Sequence, residues 1–281
     1  MPGAPGMNRR GFIVFHSLRI AMLASAAFFL AGVNEASAAN ATTLQIECQR
    51  AKQALADQPP GGDALLAAWK SNEGKCKGTG VYEIELASIY SDRNEFDQAR
   101  QALHGTAIPE NLKKQAEISE ITIDYLQAVA SGEPARLSAV EKTTDAFTQT
   151  SPENVDVLSM LGHTRVLLGK SETAIAPLEA VIKHGDGMLG DYRNLTIAYA
   201  NAGQYPQALE LLDKTYAMSQ AVTSDEEFMY AATLAYAATG KVDSAKSMLT
   251  LIASKKPQLL HDPKFQRTVQ KAKELSHGEL K

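Results

Sequence analysis

The chain is short of the groups most chemistry needs. Cysteine occurs twice, as Cys48 and Cys76, and tryptophan once, as Trp69. Five of the six histidines, His104, His163, His184, His261 and His277, are scattered; no HExxH motif and no pair four apart would grip a metal on one helix face. There is no G-x-S-x-G elbow, and neither cysteine sits in a nucleophile motif. No catalytic residue, cofactor or metal is therefore expected. Lysine and arginine form no dense run and the formal net charge is -4, which speaks against the clustered cations that nucleic-acid phosphates require. Gly169-Lys170-Ser171 resembles the end of a phosphate-binding loop, but Thr164 stands where its first glycine belongs and the flanking pattern is helical, so nucleotide is not an expected ligand either.

What is present is a chain of 281 residues, 44% hydrophobic and 21% charged, rich in alanine and poor in strand-type alternation. That composition predicts an all-α protein with a full-sized core. Arg9, Arg10 and Arg19 precede an apolar run from Ile20 to Val33, followed by the small-residue motif Ala36-Ser37-Ala38. This predicts an export signal over 1–38, cleaved after Ala38, and a periplasmic mature chain. The run of 14 residues falls short of the roughly 20 that cross a bilayer, so no integral span is expected in the mature protein; an uncleaved signal acting as a membrane anchor is the alternative. Asn8-Arg9-Arg10-Gly11-Phe12-Ile13 leaves the twin-arginine and unfolded-export routes both open. Cleavage leaves 25 basic and 31 acidic residues, a mildly acidic protein. In an oxidising compartment an even cysteine count points to a Cys48–Cys76 disulfide, with two buried thiols as the alternative.

The chain also repeats itself. Ser88 to Ala99, Ile197 to Ala208 and Leu234 to Ala245 align with an aromatic, a turn residue and an alanine in step, and Arg165 to Ala174 repeats the frame. The turn residues Asn94, Gly132, Gly169, Gly203 and Gly240 are spaced 38, 37, 34 and 37 apart. Each unit reads as two amphipathic helices, with Leu86, Ala87 and Tyr90 on a stripe before the turn and Phe96, Ala99 and Leu103 after it. Glycine, or asparagine as second choice, supplies the left-handed backbone that ends the first helix. Ala99, Ala174, Ala208 and Ala245 sit where the two helices must approach closely. The unit over 115–152 departs most, with Pro134 after its turn and Leu137 at the alanine position.

Leu161-Gly162 with Ala174, the copy formed by Tyr192, Leu195, Tyr199, Tyr205, Ala208 and Leu212, and Pro257 closing the last unit together resemble the tetratricopeptide repeat. The resemblance covers roughly residues 80 to 257. It implies an α-α superhelix of about five helix-turn-helix units over 79–257, an N-terminal helical cap over 39–78 and a capping helix with tail over 258–281. The cap should break at Asp57 to Gly62, Asp262-Pro263 should open the last helix, and the chain should fray after Ser276. The resemblance further implies a non-catalytic scaffold that holds a protein or peptide segment, in envelope biogenesis, secretion or pilus assembly, with an accessory or regulatory subunit of an exported enzyme as the alternative. The first helix of each unit would line the groove, which places Asp156, Ser159, His163, Arg193, Asn194, Ile197, Glu227, Tyr230 and Leu234 against the ligand. Ile197 and Leu234 would form an apolar floor, or else pack between units, and Arg193 and Tyr230 would anchor the segment.

Overall fold

The computed structural model describes residues 35–280, with side chains from residue 43 onward. Arg9, Arg10, Arg19 and the apolar run of the export signal lie outside the described residues. Among those described the chain is entirely helical, with fourteen α-helices and no strand. None of these helices is long and apolar enough to cross a membrane. The helices form two compact units, residues 35–143 and 144–280, whose boundary falls within α7 (Pro134–Thr150).

The first unit holds α1 (Glu35–Ala54), α2 (Asp63–Ser71), α3 (Glu73–Cys76), α4 (Val81–Asp92), α5 (Phe96–His104) and α6 (Lys113–Ser131). The break between α1 and α2 falls over Asp57 to Gly62, where Pro59 and Pro60 offer no N–H to a helix ladder. Trp69, at 1% exposure, anchors the core: its Nε1 donates to the Tyr82 carbonyl at 3.0 Å and its ring stacks on Tyr82 at a centroid distance of 5.9 Å. Cys48 on α1 and Cys76 at the end of α3 are joined by a disulfide and both are buried. The residues expected to form the N-terminal cap share one core with Val81, Ile84, Ala87, Ala99 and Leu103 of the first hairpin.

The second unit is a run of hairpins: α8 (Val155–Leu167) with α9 (Ser171–His184), α10 (Leu189–Asn201) with α11 (Tyr205–Met218), and α12 (Glu226–Ala238) with α13 (Val242–Lys255), followed by α14 (Pro263–Leu275). Within it α8 packs on α10, α10 on α12 and α12 on α14, so the first helix of each hairpin meets the next. Asn94, Gly132, Gly169, Gly203 and Gly240 all have positive φ. At four of them the N–H of the following residue closes on a carbonyl five positions back, as Glu95 on Tyr90, Lys170 on Arg165, Gln204 on Tyr199 and Lys241 on Tyr236. Gly132 departs, as its sequence neighbourhood does: Glu133 N–H is taken by the Ser131 hydroxyl instead.

Packing explains the small residues. Ala99, Ala174, Ala208 and Ala245 are each fully buried at the helix crossings. At Gly162 the approach is closer still, since a Cβ there would lie 2.4 Å from Cγ of Leu178 on α9. The last helix starts as Asp262-Pro263 predicts, with the Asp262 carboxylate accepting the Lys264 N–H at 2.6 Å and the Phe265 N–H at 3.3 Å. The tail departs from expectation. Past Ser276 it turns back through His277 and Gly278, both at positive φ, and Leu280 is 2% exposed among Ala237, Ala245 and Ala272. An apolar residue with a pocket within reach of two flexible positions buries itself rather than fraying.

Candidate functional site

The nine residues expected to face a ligand lie on α8, α10 and α12, the three consecutive first helices of the second unit. Asp156, Ser159 and His163 succeed one another at spacings of three and four on α8, which puts them on one stripe. Ser159 and His163 converge on Asp191, in the first turn of α10 and 3% exposed. The Ser159 hydroxyl donates to Asp191 Oδ1 at 2.6 Å, His163 Nε2 stands 2.9 Å from the same oxygen, and the Met188 N–H donates to Oδ2 at 2.8 Å. Burial alone would raise the Asp191 pKa, but the His163 hydrogen bond and charge, the Ser159 hydroxyl and the Met188 N–H outweigh it and hold the carboxyl below its usual value.

Asp156 has the opposite fate. Half-buried, it has its pKa pushed up to about 6 by desolvation first and then by the negative charges of Asp186 and Asp191. No hydrogen bond to its carboxylate from a described residue offsets this. Gly190 passes close by, where a Cβ would meet His163 Cε1 at 3.3 Å.

The next two hairpins repeat the device with other residues. Arg193 on α10 donates through Nη2 to Asp225 Oδ2 at 2.5 Å and through Nη1 to Asn194 Oδ1 at 2.7 Å. Asp225 is the N-cap of α12 and accepts the Phe228 N–H at 2.8 Å. On α12, Glu226 pairs with Lys256 at 2.8 Å and Glu227 with Lys264 at 2.5 Å. A polar ladder therefore ties α8 to α10, α10 to α12, and α12 to the start of α14.

Three of the nine expected positions are buried. Ile197, Asn194 and Tyr230 are 2%, 6% and 4% exposed, and Ile197 and Tyr230 belong to one core cluster with Phe228 and Met229. Tyr230 packs on Phe265 at a ring-centroid distance of 6.3 Å. Burial, with Glu226, Asp262 and Glu227 adding to it, pushes its phenol pKa up to about 12. Ile197 and Tyr230 lie in the core that α10 and α12 share. Leu234 is half-buried against the cluster of Ala237, Ala245 and Leu280. Ile197 thus takes the alternative place expected for it, packed between units, and Tyr230 packs with it in the same core cluster. Arg193 is engaged with Asp225 on a surface that stays half-open.

Sequence reasoning placed Asp225 at a helix N-terminus but missed its Arg193 partner, and it missed Asp191 altogether. The signal was available in their spacing: Ser159 to Asp191 and Arg193 to Asp225 are both 32 residues apart, about one repeat. Ser159 donates to a carboxylate oxygen that also faces His163. Among the described residues no three His, Cys, Asp or Glu side chains gather so as to hold a metal ion. No protein family, no curated protein and no solved structure matches this chain.

Proposed function

We propose that this chain is an exported, non-catalytic scaffold of the tetratricopeptide kind, a short superhelix that holds a polypeptide segment along α8, α10 and α12. The observation that carries the reading is the succession of three first helices, packed one on the next, whose half-buried polar side chains Asp156, Ser159, His163, Arg193 and Glu227 run from hairpin to hairpin. The matched turn closures and buried alanines support a single repeated unit, which is the architecture that stacking explains most simply.

The ligand inferred from the residues is a segment bearing lysine or arginine. Asp156 is a partly desolvated carboxylate next to two other acids, and an incoming cation would relieve that repulsion. An apolar helix face is a poorer fit, because Ile197 and Tyr230 are in the core.

A photo-crosslinking amino acid placed at position 156 or 227 in intact cells tests the face. A defined adduct from these positions, with little or none from Glu172 or Lys214 on the second helices, is expected. Adducts that form equally from all four positions, or only from the second helices, would overturn the assignment.

A further inference from the structure

In the first unit a cleft of about 460 Å³ opens among α2, α3, α4 and α5, with Lys70, Tyr82, Leu86, Tyr90, Gln98 and Gln101 on its walls. That volume lies within the range of small-ligand sites. One wall is firmly built. Tyr82 is 4% exposed, its ring stacked on Trp69 and its carbonyl taken by the Trp69 indole N–H. Tyr82 lines the cleft, and its hydroxyl makes no hydrogen bond with any described residue. Burial, and after it the charges of Glu73, Tyr90 and Glu83, push this phenol pKa up to about 12, so it keeps its proton and remains a donor.

The acids of the cleft already have partners. Glu73 pairs with Lys77 at 2.7 Å. Glu83 accepts the N–H groups of Gly78 at 2.7 Å and Gly80 at 2.9 Å. Lys70 forms no ion pair with a described residue; its ammonium stands over the Tyr90 ring, 5.6 Å from the centroid. The donors left over are the exposed Lys70 ammonium, the Tyr82 phenol and the side-chain N–H groups of the exposed Gln98 and Gln101, whose carbonyls can also accept. Beside these donors lie the apolar surfaces of Leu86, Ala102 and the Tyr90 ring. The Lys70 ammonium, exposed and near Glu73, can still meet an anionic group, and a bare inorganic anion would leave the apolar wall wet.

We propose that this cleft binds a small organic carboxylate with an apolar body, its oxygens meeting Lys70 and the Tyr82 hydroxyl and its body lying on Leu86 and Ala102. A free acid and the carboxyl-terminal residue of a polypeptide share this chemistry. The site shares no residue with the α8, α10 and α12 face and does not depend on the function assigned to it.

Trp69 is the only tryptophan and stacks on Tyr82, so its fluorescence reports the cleft. The full chain is titrated with N-acetyl-phenylalanine, with its amide, and with a phenylalanine-ended peptide bearing either a free or an amidated terminus. Saturable changes are expected for the acids, with the amides weaker by about ten-fold or more, the loss associated with removing a hydrogen bond to a charged group. Lys70→Ala and Tyr82→Phe, the latter keeping the stacked ring, should each weaken the acids by about ten-fold or more with helical circular dichroism unchanged. Tighter binding of the free-terminus peptide than of N-acetyl-phenylalanine assigns a chain terminus as the occupant; equal binding assigns a free acid. Equal responses to acid and amide, no saturation by any acid, or undiminished affinity in both variants would overturn the proposal. Asp156→Asn should leave the titration untouched, which separates failure here from failure of the polypeptide face.

Discussion

Arg193 on α10 reaches the amino terminus of α12, where its Nη2 lies 2.5 Å from Oδ2 of Asp225 while Oδ1 of the same carboxylate accepts the Phe228 N–H at 2.8 Å. One side chain therefore caps its own helix and ties it to the preceding one. Removing each function separately should show which matters more. Asp225→Asn keeps a cap and loses the ion pair, whereas Asp225→Ala loses both. A half-exposed ion pair contributes up to about 1 kcal/mol and a cap typically about 1 kcal/mol, so urea unfolding should rank Asp225→Ala as more destabilising than Asp225→Asn or Arg193→Ala by about 1 kcal/mol. Equal losses in all three would show that the cap contributes nothing.

The Cys48–Cys76 bridge joins residues 28 apart in sequence and lies wholly inside the first unit. No cysteine is free, so thiols titrated in denatured, unreduced protein should be near zero. In the chain-entropy picture such a loop stabilises by about 3 to 4 kcal/mol, a large share of a marginal domain's stability. Cys48→Ala with Cys76→Ala should lower the urea midpoint read by Trp69 fluorescence. The α8 to α14 unit, which shares no residue with the bridge, should keep its own transition.

Much of this architecture was legible in the sequence because its rules are local. A left-handed turn selects glycine or asparagine whatever surrounds it, so positions 94, 132, 169, 203 and 240 could be read directly, and a close helix crossing selects alanine. What stayed hidden depends on contacts one repeat away. Whether Tyr230 faces a ligand or Phe265 is decided by α14, and whether Arg193 is free is decided by Asp225; neither partner appears in the repeat that contains the residue. Leu280 escapes a sequence reading for the same reason, since a single apolar residue after Gly278 carries no periodicity, and only the pocket beside Ala272 gives it a place.

Two carboxylates give the protein a pH dependence of unusual sign. Asp92 and Asp156 both have folded pKa values raised to about 6, Asp92 by burial and then by Glu85. Between the unfolded value near 3.8 and about 6 the folded chain binds more protons than the unfolded one, so these groups lower stability as pH rises through that window. Asp92→Asn and Asp156→Asn should therefore stabilise at pH 7, by about 1 to 2 kcal/mol once solvent screening is allowed for, and give little at pH 4. Asp191 works the other way. Its carboxyl is held low by His163, Ser159 and Met188, so its contribution is present above the unfolded pKa and lost on acidification. Asp191→Asn should destabilise at pH 7 and much less at pH 3. Urea midpoints measured across this range would decide both signs.

Gly162 separates packing from propensity. On helix propensity alone, glycine to alanine inside α8 should stabilise by about 1 kcal/mol. The added Cβ, however, would lie 2.4 Å from Cγ and 2.7 Å from Cδ2 of Leu178, a fully buried residue whose branches have nowhere to go. Overpacking of this kind typically costs about 1 to 3 kcal/mol, so Gly162→Ala should be destabilising on balance. Leu178→Ala by itself should cost about 2 to 5 kcal/mol through the cavity it leaves. Combined, the two changes should be less harmful than their sum, because the alanine methyl enters space the leucine vacated and the propensity gain is then expressed. A coupling energy of about 1 kcal/mol or more in this direction is expected from the double-mutant cycle. Simple additivity would mean that α8 and α9 shift apart to accept the methyl, and that Gly162 does not set their spacing.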